Sequence, residues 1–171
     1  GLPVHWSDDP NQAPGVGSHP VAGPADVEAI LAAAPPDART AGLMPFILEW
    51  TARFAAGLPP EVSIAGPDLG GPFNTAKDLF QTDLLFTALY DWPDLFASFL
   101  DFAADVQAAC YREVIAAAGG IDRLSCIDFD PVWAPEGRKG FVSDDGSAGL
   151  SPEHFRRFSI PASNRIFRQW R

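Results

Sequence analysis

Short apolar runs that alternate with helical segments constrain the fold of this chain more than any other feature of its sequence. The runs cover residues 2–6, 61–66, 124–129 and 140–143, and polar or Gly- and Pro-rich loops follow them. Strands that alternate with helices of about ten residues or more are typical of βαβ units, in which the strands lie parallel. We therefore predict an α/β fold.

Among parallel α/β folds, the sequence favours a barrel. No Gly-x-Gly-x-x-Gly pattern follows a predicted strand, so a dinucleotide-binding fold has no support. A complete (β/α)8 TIM barrel needs about eight strands and about 250 residues. We therefore expect residues 1–171 to form a single domain that supplies about half of such a barrel. Half a barrel leaves open sheet edges, and we expect this piece to be inactive alone.

Several segments have the periodicity or the end signals of helices. They are residues 24–34, 40–57, 73–90 with a break near Thr82, 91–118, and 151–170 with an interruption at Pro161. The fourth is the clearest, because its apolar side chains share one face and Gly119 and Gly120 provide a stop. The side chains of that face are Leu95, Phe99, Phe102, Val106, Cys110 and Val114. Residues 10–23 are predicted to form a long loop, which we expect to have a role such as covering a site.

The acidic balance of the chain narrows the choice of partners. Its formal net charge of −10 argues against nucleic acid and against an anionic membrane surface, since both attract clustered Lys and Arg. No apolar run reaches the roughly 18 residues of a membrane span. Cys110 and Cys126 have neither metal-ligand spacing nor the pattern of a disulfide framework. We therefore expect a cytoplasmic protein that acts on a small molecule.

Carboxylates at the predicted strand ends are the main candidates for chemistry, because the functional residues of parallel α/β proteins lie there. Asp8 and Asp9 follow the first strand, and Asp144 and Asp145 follow the fourth. Each pair can bind a polar group or stabilise a cation, and each can also simply begin a loop, which Asp favours. In the second pair, we expect one carboxylate to face the site and the other to cap the loop.

A glycine-rich turn follows the second predicted strand, within residues 66–75. Glycine allows a ligand to approach the backbone closely, and it also permits turns with positive φ, so both explanations stay open. The histidines at positions 5, 19 and 154 have neither zinc-ligand spacing nor a nearby nucleophile elbow, and we expect them to be bystanders.

The order of these motifs resembles the uroporphyrinogen decarboxylase superfamily, which also includes corrinoid and coenzyme M methyltransferases. The most specific segment is Leu-Ser-Pro-Glu-His-Phe-Arg-Arg-Phe at residues 150–158, with Ser-Asp-Asp before it and Ile-Pro after it. Gly-Pro-Phe at residues 71–73, Tyr-Asp-Trp-Pro-Asp-Leu at residues 90–95 and Trp-Ser-Asp at residues 6–8 support it. The resemblance extends over nearly the whole chain. It implies a (β/α)8 barrel with a cleft at the carboxyl ends of its strands.

The resemblance also implies an activity. Decarboxylases of this superfamily are carboxy-lyases of porphyrin biosynthesis that remove carbon dioxide from the acetate side chains of a tetrapyrrole without a cofactor. Asp8 matches the Asp that binds the pyrrole nitrogens, and with Asp145 it forms the expected catalytic pair. Substrate contacts are expected from Asp9, Gly71, Phe73, Asp78 and Asp144. Asp78 stands where the decarboxylases have Tyr, and Asp145 where they have Ser, so both positions depart from the pattern.

Two other functions stay open under this resemblance. The methyltransferase branch uses a zinc-bound thiolate and a corrinoid protein partner, and its zinc ligands, a His-x-Cys and a later Cys, are expected after Arg171. A non-catalytic ligand-binding barrel is favoured by the departures at Asp78 and Asp145. A homodimer is a further assembly that we expect.

Overall fold

Helices make up most of the structure, a computed structural model that describes residues 4–12, 15–128, 137–140 and 142–170. In chain order the α-helices are α1 Pro24–Ala32, α2 Met44–Gly57, α3 Pro72–Leu79, α4 Thr82–Asp91, α5 Pro93–Ala118, α6 Pro152–His154 and α7 Ile160–Phe167. Short 3₁₀ turns cover Ile121–Arg123, Asp145–Gly149 and Arg168–Trp170, and a π-helical turn covers Phe155–Ser159. Every predicted helical segment therefore contains helix. Within the described ranges, no helix is both long and apolar enough to cross a membrane.

The long helix α5 is the centre of the fold, and it ends at Gly119 as predicted. Gly119 has a φ of 87°, in the left-handed region that glycine adopts easily. The N–H groups of Gly119 and Gly120 donate to the carbonyls of Ala116 and Ile115, at 3.1 and 2.9 Å. These bonds satisfy carbonyls that the end of the helix would otherwise leave without partners. Helices α1, α2, α3, α4 and α7 all pack against α5.

The predicted apolar face of α5 is only partly buried. Phe99 and Val114 lie in the core, as predicted. The other four side chains of that face are half-buried: Leu95, Phe102, Val106 and Cys110. Three of these four line an open cavity, which explains their exposure, while the core also takes in Phe96 and Tyr111 from the neighbouring face. Because several helices surround α5, its buried surface is wider than a single stripe.

The predicted break within residues 73–90 is confirmed, and core packing accounts for it. Helix α3 ends at Leu79, and Phe80 has extended backbone with φ −99° and ψ 147°. Phe80 forms a parallel bridge with Val21, whose N–H donates to the Leu79 carbonyl at 3.0 Å. The Phe80 ring is fully buried and meets the Phe96 ring edge-on, with centroids 5.7 Å apart. The helix therefore stops where one side chain enters the core.

The predicted interruption at Pro161 is a widened helical turn. Proline has no N–H, so the helix that reaches it cannot keep its regular hydrogen bonds there. The N–H of Ile160 donates to the carbonyl of Phe155, five residues back, which is the bond of a π-helix. The helical path therefore continues from Pro152 to Phe167 despite the proline.

The parallel pairing predicted for the first strand is wrong. Val4–His5, which we call β1, pairs antiparallel with Gly15–Val16, which we call β2. The partner strand lies within residues 10–23, which were predicted to be loop. A hairpin closes locally through short-range contacts, so this segment does not need a barrel neighbour to satisfy its backbone.

The second and third predicted strands lie parallel but meet at a single bridge, between Ile64 and Leu124. The Ile64 N–H donates to the Arg123 carbonyl and the Ser125 N–H donates to the Ile64 carbonyl, each at 2.9 Å. The described part of residues 140–143 contains no strand. A β-sheet extends only where each strand has a neighbouring strand to which its backbone can hydrogen-bond, and the described residues provide few such neighbours. The predicted half-barrel is therefore not seen in the part of the chain that the structure describes.

Replacement of Phe80 by Ala should test the packing that breaks the helix. We expect Phe80→Ala to lower the free energy of unfolding by about 3–5 kcal/mol, because it removes a fully buried ring and leaves a cavity. Phe46→Ala is the control, since Phe46 is 60% exposed on α2 and should cost less than about 1 kcal/mol. Urea denaturation measures both, and equal losses would contradict the assignment of Phe80 to the core.

Candidate functional site

The ends of three strand-like segments meet around two carboxylates, Asp128 and Asp144. The segments are residues 64–71, 124–128 and 142–147. They correspond to three of the runs that were predicted as strands, although the third contains no strand and enters the 3₁₀ turn Asp145–Gly149. Both carboxylates accept hydrogen bonds from backbone groups of segments far away in sequence. Three of the four runs predicted as strands therefore lead into this cluster.

Asp128 is fully buried and joins the three segments. Its Oδ1 accepts from the Leu69 N–H at 3.1 Å, and its Oδ2 accepts from the Ser143 N–H at 2.7 Å. Burial, and then the negative charge and hydrogen bond of Asp128, raise the pKa of Tyr111, which therefore stays protonated. Gly66 allows its own backbone to pack closely against residues 127–128, because a Cβ at Gly66 would lie 2.7 Å from the Ile127 carbonyl oxygen. Asp128 was not among the predicted site residues, although it stands near the end of the third predicted strand.

Asp144 lies at the N-terminus of α3. Its Oδ1 accepts from the Asn74 N–H at 2.9 Å, and its Oδ2 accepts from the Ser159 hydroxyl at 3.1 Å. The N–H of Phe73 also hydrogen-bonds to this carboxylate. A helix N-terminus has unpaired N–H groups and a partial positive charge, so it favours an anion. The protein thus supplies its own carboxylate to a position that could bind an external one.

The glycine-rich turn is explained differently at its two central positions. Gly70 has a φ of 64°, so it needs the left-handed region. Gly71 has an ordinary φ of −99°, but a Cβ there would lie 2.4 Å from Oδ1 of Asp144. The explanation by positive φ therefore holds at Gly70, while the approach of a ligand to this turn stays a prediction. The group that approaches the Gly71 backbone closely is an internal carboxylate.

Asn74, in α3, hydrogen-bonds to the loop that contains Asp144. Its Nδ2 donates to the Ser143 carbonyl at 3.2 Å, and its Oδ1 accepts from the Gly146 N–H at 2.7 Å. Ser147 adds a hydroxyl bond to the Asp144 carbonyl at 2.7 Å. Sequence reasoning did not single out Asn74. Its position directly after Gly-Pro-Phe, opposite a strand end rich in Asp, was the available signal.

The pKa of Asp144 is raised, and burial is the main cause. The hydrogen bonds from Asn74, Ser159 and Phe73 oppose this increase, while the negative charge of Asp145 adds to it. Because its pKa is raised, the Asp144 carboxyl group keeps its proton to a higher pH than an ordinary Asp does. Asp144 therefore has the properties of a candidate proton donor.

The other predicted site residues divide into two groups. Gly71 and Phe73 belong to the Asp144 cluster, where Phe73 is fully buried, and Asp145 is exposed beside it. Asp78 is exposed on α3, and its backbone carbonyl lies 2.9 Å from Nδ1 of His19. Their predicted roles in substrate binding and catalysis stay predictions.

Asp8 and Asp9 lie in an exposed turn after β1. Oδ1 of Asp9 accepts from the Asn11 N–H at 2.9 Å, and the Asp9 N–H donates to the Ser7 hydroxyl at 3.1 Å. These local bonds are those of a loop start. In the described residues, no hydrogen bond joins this turn to the Asp144 cluster.

A cavity of about 390 Å³ has basic side chains in its wall. Arg138 and Lys139 line it, together with Asp122 and Phe167. Nζ of Lys139 donates to the Leu124 carbonyl at 2.5 Å, so Arg138 is the more available cation. Within the described ranges, no three His, Cys, Asp or Glu side chains form a metal-binding group.

Replacement of Gly71 by Ala should disturb the Asp144 site directly. The new Cβ would overlap the Asp144 carboxylate, so we expect the free energy of unfolding to fall by about 1–3 kcal/mol. Gly57→Ala is the matched control, because nothing lies within 4 Å of a Cβ at that position. Denaturation of both variants, with and without Asp144→Ala, measures the effect. A cost that is unchanged when Asp144 is removed would show that the overlap is not its cause.

The raised pKa of Asp144 predicts a pH dependence of stability. The folded state binds this proton more tightly than the unfolded state, in which an Asp has a pKa of about 3.9. The free energy of unfolding should therefore fall as the pH rises from about 3.9 through the raised folded pKa. Asp144→Asn removes this contribution, so the variant should gain stability relative to the native protein across that window. Asp78→Asn, which removes an exposed charge on α3, controls for the change in net charge; equal profiles for the two variants would contradict the prediction.

Comparison with known proteins agrees with the resemblance seen in the sequence. The sequence model of one family, described as Uroporphyrinogen decarboxylase (URO-D), matches residues 1–135. The matched part includes the glycine-rich turn and Asp128, and it ends before Asp144 and the segment at residues 150–158. No curated protein and no solved structure matches the chain. Because the match covers most of its length, the chain belongs to the uroporphyrinogen decarboxylase family.

Proposed function

We propose that this chain is part of a carboxy-lyase that removes carbon dioxide from acetate side chains of a tetrapyrrole without a cofactor. The observation that carries the proposal is Asp144, a half-buried carboxyl group with a raised pKa, where loops meet in a chain of this family. Protonation of a pyrrole ring must precede the loss of carbon dioxide from its acetate. That step needs an acid that still holds its proton at the working pH.

In this mechanism the carboxylates have different tasks. Asp144 donates a proton to a pyrrole ring carbon. The bond between the acetate methylene and its carboxylate then breaks, and its electrons form an exocyclic double bond and neutralise the cationic ring. A second proton, from solvent, adds to the exocyclic carbon to give a methyl group, and the ring carbon returns its proton to Asp144. Asp8 holds the pyrrole N–H groups and stabilises the cationic ring, as the family resemblance implies. Asp145, exposed beside Asp144, adds negative charge near that cation. Arg138 is a candidate partner for a substrate carboxylate.

A second candidate is a non-catalytic ligand-binding protein. The departures from the decarboxylase pattern at Asp78 and Asp145 favour it, and the structural use of Asp144 is compatible with it. The carboxylate of Asp144 occupies the N-terminus of α3, so an external anion would have to displace it. An internal carboxylate held in this way also serves as a structural cap, and a cap needs no catalytic role. Turnover of substrate distinguishes the two candidates.

Assays with uroporphyrinogen test the proposal. Because we expect residues 1–171 to be inactive alone, the full-length protein that contains this chain is incubated with it under reducing, oxygen-free conditions. The decarboxylated products are separated after oxidation to porphyrins. We expect Asp144→Asn to lower kcat by about 10²–10⁴, because the amide cannot donate the proton. Asp83→Asn, which removes an exposed carboxylate of α4 that has no assigned role, is the control and should retain most of the activity.

The pH profile gives an independent readout. An acid that must be protonated loses activity as the pH rises through its pKa, and Asp144→Asn should remove that limb. Full activity in Asp144→Asn would exclude Asp144 as the acid. Porphyrin binding without turnover would favour the ligand-binding alternative, and stoichiometric zinc in the purified protein would favour methyl transfer instead.

A further inference from the structure

A second cavity, separate from the Asp144 cluster, opens between α5, α3 and the start of α2. It has a volume of about 810 Å³, within the range of cavities that hold small organic molecules. Phe99, Phe102 and Val106 of α5 line it, together with Met44 and Ile47 of α2. These side chains give the cavity mainly apolar walls.

The cavity also has a polar centre. Gln107 and Thr75 both line it, and Nε2 of Gln107 donates to the Thr75 hydroxyl at 2.8 Å. The Thr75 hydroxyl donates in turn to the Gly71 carbonyl at 3.2 Å. Gln107 is only 6% exposed, and its Oε1 has no hydrogen-bond partner in the part of the chain that the structure describes. A buried acceptor without a donor is unfavourable, so a ligand that supplies the donor would be bound there selectively.

The charge of the lining narrows the class of ligand. Asp68 is the charged residue on the cavity wall, and no Lys or Arg lines it within the described ranges. Such a cavity does not attract a polycarboxylate such as a tetrapyrrole. Gly71, Asn74, Asp144 and Ser159 are not among its described lining residues, so it is distinct from the proposed catalytic site.

We infer that this cavity is a binding site for an uncharged amphipathic small molecule with one hydrogen-bond donor. The donor binds Oε1 of Gln107, and an aromatic or aliphatic body packs against the apolar side chains of α5 and α2. This site does not depend on the proposed decarboxylation, so the two can fail independently.

Fluorescence of Nile red, an uncharged dye, tests whether the cavity binds apolar molecules. We expect saturable binding of one dye per protein. Ala103→Leu fills the cavity, because Ala103 lines it, and should weaken binding at least about tenfold. Ala116→Leu adds the same volume on an exposed part of α5 and should bind as the native protein does. Should Ala103→Leu fail to fold, Val106→Phe carries the same test, because Val106 is half-buried and tolerates a larger side chain.

Competition with a matched pair of molecules tests the role of Gln107. 2-Naphthol has a hydroxyl donor and 2-methylnaphthalene does not. We expect 2-naphthol to displace the dye at a concentration roughly five- to tenfold lower, and this preference should vanish in Gln107→Leu. No saturable dye binding, equal binding by Ala103→Leu and Ala116→Leu, or a preference that survives in Gln107→Leu would each overturn the inference.

Discussion

The buried carboxylate of Asp128 is the constraint on which the arrangement of the loops depends. A fully buried carboxyl group is tolerated only when hydrogen bonds replace the water that it has lost. Leu69 and Ser143 supply N–H donors to it from two loops distant in sequence. Those loops must therefore stay beside Asp128, at the end of residues 124–128. Because Asp144 follows Ser143 directly, this arrangement brings Asp144 to the N-terminus of α3. The candidate site follows from the requirements of one buried acid.

The Asp144 cluster shows how one arrangement can serve both structure and chemistry. The carboxylate caps α3 and holds the adjacent loop, and these hydrogen bonds favour its charged form. Burial favours the neutral form more strongly, so the pKa rises although the local bonds would lower it. The absence of a side chain at Gly71 allows this close contact. From the sequence, Gly71 could have been needed only for the conformation of the turn. The structure shows that it is needed to make room for Asp144.

Helix α5 links the two regions to which we assign function. Tyr111 on this helix interacts with Asp128, while Gln107, one turn earlier, lines the apolar cavity and bonds to Thr75 of α3. Thr75 follows Asn74, which holds the Asp144 loop. The cavity and the carboxylate cluster therefore share α3 and α5 but differ in their lining and in their charge.

The sequence by itself determined the helical segments, the end of α5 and the family. Helix periodicity and the stop signals at Gly119 are local properties, so they were readable without the fold, as was the break before Thr82. The family followed from motifs in order along the chain, and its match includes the glycine-rich turn. Asp144 was also identified, because its position after an apolar run is a local feature.

Only the tertiary structure decided how these parts meet. The antiparallel partner of β1, the single bridge at Ile64 and the burial of Asp128 depend on contacts between distant segments. The same holds for the raised pKa of Asp144, since desolvation is set by what surrounds a group and not by its neighbours in sequence. The sequence shows where the acidic residues lie along the chain. Burial and hydrogen-bond donors from other segments decide which of these acids has a shifted pKa.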